Sequence, residues 1–456
     1  MPYTLDKGGQ YFDMTKLFYS IPEVASLLGI SIKTVRRYIA GNYLDALKIG
    51  GVYRIPKDAL ESFINVGKKV IDSSKYGLKG NFLARKEEVP SDSQETVPNP
   101  CGKEEKINWY QITDKWTRPS RSSFTFVDLF CGAGGLSKGL EMAGLKGICG
   151  LDWFKEAGMT YRRNFNHPLV EGDITTPEVK EAFYSTVKKQ LRGRQLTVVA
   201  GGFPCQGFSM SGNRIVDDPR NSLYKEMLEI VKTLKPLYVI CENVVGLRTM
   251  LDGMVEQKIL SDFQNAGYQM NVATLCAAEY GVPQKRNRVI FIGNRIGAKN
   301  YHPQPFLDEA HFRTTESAIA DLMEHPEDPA FNHVPTKHSL EMQQRLLAVP
   351  EGQSLYEGYS DAWKKCPWHE ASCTIKENHG GVNIHPLLPR VLTAREMARI
   401  QSFPDDFIFE GNKSKQLVQI GNAVPPLLGK AIGLAVRASA EEARKKDKAI
   451  FQAKRN

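Results

Sequence analysis

The sequence predicts an α/β protein in which a mostly parallel sheet carries helices on both faces, preceded by a small winged helix-turn-helix unit. Three observations predict it. From residue 121 onward, apolar strand-like runs alternate with helical stretches: FTFVDLF (124–130), GICGLDW (147–153), TVVAGG (197–202), LYVICEN (237–243) and RVIFIG (288–293). That alternation builds a parallel sheet covered on both sides. A glycine turn follows the first run, at the sheet edge where open α/β folds place their ligands. Residues 18–66 read in the order helix, turn, helix, hairpin, helix.

Composition bounds the rest. A chain of 456 residues suits two to four domains, and 41 % hydrophobic with 24 % charged residues excludes a wholly disordered or fibrous protein. No apolar run approaches the roughly 18–20 residues needed to cross a bilayer, and MPYTLDKGGQYFD lacks the basic-then-apolar pattern of a signal peptide. Eight cysteines without regular spacing fit free thiols in a reducing compartment, so a cytoplasmic protein without a membrane is expected. The net charge is +9. Residues 1–120 contribute +4, residues 437–456 another +4, and residues 121–436 only +1. The excess therefore lies outside the sheet-forming span and suits sequence-independent attraction to a polyanion.

In the head, Ser20 and Glu23 have capping-box spacing and Pro22 suits a first helical turn. Gly29 ends that helix and Ser31 can cap a second, IKTVRRYIA. There Ile32, Val35 and Ile39 are expected to face inward, with Lys33, Arg36 and Arg37 outward as candidate DNA contacts. ALKIGGVYRI is a hairpin signal around Gly50-Gly51, and Pro56 opens a third helix. The order resembles excisionase- and MerR-type winged DNA readers. Residues 67–120 are polar and proline-bearing, which predicts a flexible linker; within it, WYQITDKW near 109–116 can pack on a neighbour.

FVDLFCGAGGLSKGLEMAGL reads as strand, glycine turn and helix. Glycines 132, 134 and 135 would let a cofactor approach the backbone. The spacing matches neither a phosphate loop nor G-x-G-x-x-G, and a bare glycine turn competes with the functional reading. The next strand ends in Asp152-Trp153. The acid can accept two ribose hydroxyls and the indole can stack on a purine, against the alternative of a core aromatic. Asp173 can accept from an adenine amino group or cap the helix that follows it. Three such features at successive strand ends point to an adenosine-containing cofactor.

AGGFPCQGFSMSG (200–212) sets Cys205 after Gly-Gly-Phe-Pro at the end of an apolar strand. A lone cysteine is commonly an inert buried thiol, but here turn residues expose it at the sheet's functional edge, where a nucleophile would need help to become a thiolate. The next strand closes on Glu242. In QKRNRVIFIG, Arg286 and Arg288 alternate into a strand and so share one face, able to hold a carboxylate, phosphate or thiolate.

DLFCGAGG, GGFPCQGFS, ENV, QKRNR and GNAVPP, in this order and with RVLTAREMARIQSFPD before the last, resemble the DNA (cytosine-5)-methyltransferase family. The resemblance covers about 124–295 and 370–435. It implies a Rossmann-like S-adenosylmethionine-dependent methyltransferase domain over 121–295 and 391–443, with a target-recognition region at 296–390. It also implies that Cys205 adds to C6 of a flipped-out cytosine, that Glu242 holds the exocyclic amine and N3, and that Arg288, with Arg286, fixes Glu242 and the base. Phe130, Gly132, Gly134, Asp152, Trp153, Asp173 and Asn422 fall where the family binds S-adenosylmethionine. Asp152 departs mildly, since Glu is common there.

The loop after Cys205 is long and polar. Ser211 can fill the space left by the base, and Arg214 and Arg220 can touch phosphates, unless this is simply a solvated loop. Lys364, Lys365, Trp368, His369, Lys376, Asn378 and His379 are candidate DNA contacts in the recognition region. Cys366, His369, Cys373 and His379 lack a paired C-x-x-C knuckle, so no structural metal is expected. The expected partner is double-stranded DNA, with a restriction endonuclease acting on the same site without a stable complex. Two alternatives stand beside this: the tRNA-modifying branch, whose Cys-Phe-Thr signature is absent here, and a transcription regulator working through the head.

Overall fold

The computed structural model describes residues 3–5, 11–13, 18–27, 32, 35, 39, 44, 46–49, 52–60, 107–112, 124–204, 223–356, 363–376, 382–448 and 451. The chain divides into two compact units, Met1–Val97 and Pro98–Asn456.

In the first unit, β1 (Tyr3–Leu5) pairs antiparallel with β2 (Tyr11–Asp13). Strand β3 (Phe18–Tyr19) leads into helix α1 (Ile21–Leu27), and β4 (Leu47–Ile49) and β5 (Val52–Pro56) form the expected hairpin. The Ser20 backbone N–H and hydroxyl both donate to Glu23 Oε2 at 2.8 Å, which is the glutamate half of the expected capping box. Tyr19, Val24, Val35, Leu44, Ile55 and Leu60 form the small core. Ile32 was expected inside but is 45 % exposed. It lies three residues before the buried Val35 and, unlike it, is left out of the small core. Lys33, Arg36 and Arg37 lie outside the described residues.

The second unit contains β6 (Asn108–Gln111), β7 (Thr125–Leu129), α2 (Gly135–Met142), β8 (Lys146–Asp152), α3 (Lys155–Asn164), β9 (Leu169–Glu171), α4 (Pro177–Leu191) and β10 (Val198–Gly201). There follow α5 (Leu223–Leu234), β11 (Tyr238–Val244), α6 (Gly246–Thr249), α7 (Met254–Asn265), β12 (Gln269–Cys276), β13 (Asn287–Asn294) and β14 (Tyr301–Gln304). Short helices α8 (Thr315–Ile319) and α9 (Leu340–Ala348) precede α10 (Ala394–Ile400), α11 (Lys413–Asn422) and α12 (Pro426–Lys446).

One sheet has the order β12-β13-β11-β10-β7-β8-β9. Strands β11, β10, β7, β8 and β9 run parallel; at one edge β13 runs antiparallel to β11, and β12, antiparallel to β13, returns to the common direction. Alternation along β7 sends Val127 and Leu129 into one core, with Phe183 of α4, Met227 of α5 and Ile259 of α7. It sends Phe126 into the other, with Leu140 of α2 and Leu428 and Ile432 of α12. Both faces are thus buried, as parallel strands require. Among the described residues, no helix is long and apolar enough to cross a membrane.

Part of the expected linker is structured. Asn108–Gln111, inside the 67–120 span, is a strand paired parallel with β14. The Tyr110 and Tyr301 rings lie 5.5 Å apart and Ile112 is buried, so the apolar residues in this polar stretch find partners about 190 residues away in sequence.

Candidate active site

The strand order reverses between β7 and β10. Helical connections leave β7 toward β8 and β9 on one side, and β10 toward β11 on the other. This is the switch point where open α/β sheets hold ligands. Leu129 of β7 stands opposite Gly201 of β10, and Gly201 stands opposite Cys241 of β11. At ~4.8 Å between neighbouring strands, the glycine turn, the turn toward Cys205 and the Glu242 strand end leave the sheet side by side.

The glycine turn starts in strain. Phe130 has φ 56° and Gly132 has φ 53°, the left-handed region that costs a non-glycine residue of order 1 kcal/mol or more. The Gly134 N–H returns to the Cys131 carbonyl at 2.8 Å, and the Gly132 N–H donates to Asp152 Oδ2 at 2.8 Å. A side chain added at Gly132 would meet open space. At Gly134 it would strike the Phe165 ring, and at Gly135 the Val424 carbonyl. Only Gly132 therefore leaves room for a ligand, while glycines 134 and 135 are needed because α3 and the 423–426 segment pack against them. The contact at Gly135 also explains how Asn422, exposed at the end of α11, comes near a turn almost 290 residues earlier.

Asp152 is 7 % exposed. Its Oδ1 accepts from the Phe154 N–H and its Oδ2 from Gly132, both at 2.8 Å. A carboxylate has about four acceptor sites, so capacity remains for ligand hydroxyls. Burial pushes its pKa up, while the Phe154 and Gly132 amides pull it down. Trp153, at 75 % exposure, is an open stacking surface and not a core aromatic. Asp173 is exposed, and its Oδ1 accepts from the Thr175 N–H and hydroxyl, closing the turn before α4. It does not cap α4, whose N-cap position is Thr176 without a side-chain cap bond. An open glycine, a buried acid with free acceptor sites and a bare indole at adjoining strand ends fit an adenosine-bearing cofactor.

On the other side of the switch point, Phe203 is buried and Pro204 exposed. Cys205, Ser211 and Arg214 lie outside the described residues. The Asn243 side chain donates to the Phe203 carbonyl at 3.0 Å. Arg288 Nε meets Glu242 Oε1 at 2.8 Å, with the two side chains only 13 % and 12 % exposed. A Cβ on Gly202 would come within 3.0 Å of Glu242 Oε2, so glycine there leaves the second carboxylate oxygen its space.

The structure gives Arg286 a different setting from Arg288. It is 3 % exposed and donates to the carbonyls of Ile375, Gly421 and Ala423 at 2.9, 3.0 and 3.2 Å. Those carbonyls engage its guanidinium as a clamp between the 371–375 segment, the end of α11 and the strand bearing Arg288. Two candidate DNA contacts are likewise engaged inside. Lys365 is 6 % exposed, with Nζ donating to the Leu347 carbonyl at 3.1 Å, and Trp368 is 6 % exposed in a core with Ile375 and Met397. His369 is exposed and pairs with Glu316 at 3.0 Å.

Sequence reasoning missed a buried chain behind the glycine turn. Asp128 Oδ2 accepts from the Ser137 hydroxyl at 2.6 Å; Ser137 and Tyr161 hydroxyls are 2.8 Å apart; Tyr161 and His167 Nε2 are 2.7 Å apart. Burial raises the Asp128 carboxyl to about 7, although Ser137 pulls it down. The available signal was a lone acid inside the apolar run FTFVDLF.

Residues 124–438 match the family model described as C-5 cytosine-specific DNA methylase, and residues 18–65 match a helix-turn-helix domain model. The type II methyltransferase M1.HphI of Haemophilus parahaemolyticus is 36 % identical over 69 % of this chain and 87 % of its own length. The type II methyltransferase M.DdeI of Desulfomicrobium norvegicum is 34 % identical over 67 % and 86 %. The fold is shared with a solved structure described as a DNA modification methyltransferase encoded within an E. coli prophage, at TM-score 0.57 and 24 % identity, covering 70 % of this chain and all of that one.

Proposed function

Because this chain belongs to the family of C-5 cytosine-specific DNA methylases, we propose that Cys205, Glu242 and Arg288 perform its base chemistry and that it modifies DNA in partnership with a restriction endonuclease. The protein is an S-adenosylmethionine-dependent methyltransferase acting on cytosine C5 in double-stranded DNA. The observation that supports the residue roles is the Arg288–Glu242 pair, at 2.8 Å, beside the turn leading to Cys205.

A cytosine stacked in a duplex hides C6, so the target must be flipped out. The Cys205 thiolate then adds to C6, and electron density gathers at N3. Glu242, fixed through Oε1 by Arg288, presents Oε2 toward the base edge and holds the exocyclic amine and a proton shared with N3. S-adenosylmethionine, when bound, supplies an electrophilic methyl group. Phe130 and Gly132 shape its cradle, Asp152 takes its ribose hydroxyls, Trp153 stacks on its purine, and Asn422 closes the far side. Gly134 shapes the turn, Asp173 orders the third strand end, and Arg286 positions Arg288. Loss of the C5 proton and departure of Cys205 restore the aromatic base. Covalent activation is needed because C5 of a resting pyrimidine is a poor nucleophile.

In this reading the enzyme works in the cytoplasm, and its endonuclease recognises the same site without binding it stably. The head, through Lys33, Arg36 and Arg37, adds affinity for DNA or represses the enzyme's own promoter; Ser211 and Arg214 act at the flipped base and its phosphates. Methyl transfer to duplex DNA and to tRNA, with wild type and Cys205→Ser, tests the chemistry: the variant should be inactive on DNA, and retained turnover would refute the nucleophile. Bisulfite sequencing of host DNA should reveal one methylated motif. If that motif gives no protection against an endonuclease of the same host, the restriction–modification role falls while the methyltransferase stands.

A further inference from the structure

Two cysteines outside the catalytic centre face each other. Cys366 Sγ and Cys373 Sγ are 3.9 Å apart, Cys366 fully buried and Cys373 partly so. The Asn383 amide donates to Cys373 Sγ at 3.2 Å, and the Ser372 hydroxyl lies 3.3 Å from Cys366 Sγ. The Cys373 thiol is held below its ordinary value by the Cys366 S–H, against burial, with Lys364 helping; the same contact and burial push Cys366 up. The pair is thus asymmetric, Cys373 being the readier to give up its proton and Cys366 the readier to keep it.

The two cysteines are anchored to different parts of the molecule. The Cys366 N–H donates to the Ile384 carbonyl at 3.1 Å. Cys373 sits in a segment zipped to the approach of β13: Ser372 exchanges backbone bonds with Pro283 and Lys285, Ile375 N–H donates to Gln284 Oε1, and the Ile375 carbonyl receives Arg286. A disulfide needs sulfurs about 2 Å apart, so the 3.9 Å gap closes by rotation of the two side chains together with movement of the segments that anchor them.

We propose that Cys366 and Cys373 form a reversible oxidation site, in which a peroxide closes the two thiols into a disulfide that loosens the 371–375 segment from Gln284–Arg286. The Cys373 thiolate attacks one peroxide oxygen, the O–O bond breaks, hydroxide leaves, and the sulfur becomes a sulfenic acid. Cys366 Sγ then attacks that sulfur, gives up its proton, and water leaves as the S–S bond forms. Two electrons pass from the thiols to the peroxide.

The test treats the full-length protein with hydrogen peroxide, alkylates it after denaturation, and examines the tryptic peptide 366–376, which contains both cysteines. The oxidised peptide should be two hydrogens lighter and refuse alkylation until reduced with dithiothreitol. Cys366→Ser should abolish the bridge and leave a sulfenic acid at Cys373 that dimedone traps. A peptide that stays fully alkylatable, or goes only to sulfinic acid, would overturn the site. To keep oxidation of Cys205 out of the functional readout, DNA binding is measured on Cys205→Ser, oxidised against reduced. Affinity should fall about tenfold, since a supporting segment displaced on the ångström scale misplaces what it holds. A bridge that forms with unchanged affinity would overturn the coupling to the 284–286 segment.

Discussion

The side-chain amide of Asn243 donates to the carbonyl oxygen of Phe203 at 3.0 Å, tying the end of β11 to the turn that leaves β10. Asn243 is 4 % exposed and Phe203 is 3 % exposed, so water cannot replace the bond. The residue after Glu242 thereby controls the turn that enters the Cys205 loop.

Asn243→Ala removes that donor and leaves the Phe203 carbonyl buried without it. Such a loss costs ~1–3 kcal/mol. The expected result is a kcat at least about tenfold lower with little change in affinity for S-adenosylhomocysteine, because a nucleophile displaced by ångströms loses rate before cofactor binding. Steady-state kinetics with calorimetry of the product cofactor would check this, and a wild-type kcat would show that the tether is dispensable.

Arg288→Ala leaves Glu242 without its cation in a largely buried site. Breaking one partner of a buried pair costs ~3–5 kcal/mol. That cost should divide between a lower melting temperature and a kcat reduced by about 100-fold or more. Arg288→Lys keeps the charge but not the planar fork and should fall between the two. Equal activity in Arg288→Ala and wild type would remove Glu242 fixation from the mechanism.

Trp153 presents an exposed indole next to the buried Asp152. Stacking of a base on an aromatic side chain is worth ~1–3 kcal/mol, so Trp153→Ala should weaken S-adenosylhomocysteine binding by about 5- to 150-fold while leaving stability nearly unchanged, since little of the ring is buried. Calorimetric affinity and a thermal melt together check this. A melt that drops with affinity unchanged would instead make Trp153 a packing residue.

Much of this arrangement is legible in the sequence, and what is not has identifiable causes. The five strands read as apolar runs are present, because strands buried on both faces need continuous apolar side chains. Strand β12 went unread: it lies at the sheet edge and carries polar Asn271 and Thr274, with Asn271 bonded to Asn300. Arg286 and Arg288 share strand parity, yet the carbonyls that capture Arg286 lie 89, 135 and 137 residues downstream, beyond any local pattern. Glycines 134 and 135 look like ligand glycines in sequence, but the ring and carbonyl against them come from Phe165 and Val424.

The Asp128 carboxyl, raised to about 7 by burial, makes stability depend on pH. An acid whose folded pKa exceeds its unfolded value of 3.8 binds its proton more tightly when folded. Its contribution is therefore fully present below 3.8 and is lost as pH rises through about 7. At 1.36 kcal/mol per pKa unit, the upper bound is roughly 4 kcal/mol. Asp128→Asn keeps an acceptor for Ser137 without the charge, so its melting temperature should exceed wild type at pH 8 and converge with it toward pH 4. A residual slope should remain from Asp152, whose pKa burial also raises. Parallel wild-type and variant melting curves across this range would show that Asp128 is not the titrating group.

Truncation should respect the boundary between the two compact units. Removing residues 1–97 deletes the helix-turn-helix unit and leaves β6 paired to β14. Methylation of duplex DNA should persist, with a shallower salt dependence of DNA affinity because part of the positive excess is gone. Removing residues 1–112 also strips β6 from β14 and takes buried Ile112 from the core that holds Phe126 and Ile432. The longer deletion should melt lower than the shorter one by several degrees, as the loss of about 1–2 kcal/mol of apolar burial implies. Thermal melts and methyl transfer on both proteins check the pair. An inactive but folded 98–456 protein would mean that the catalytic unit needs its head for turnover.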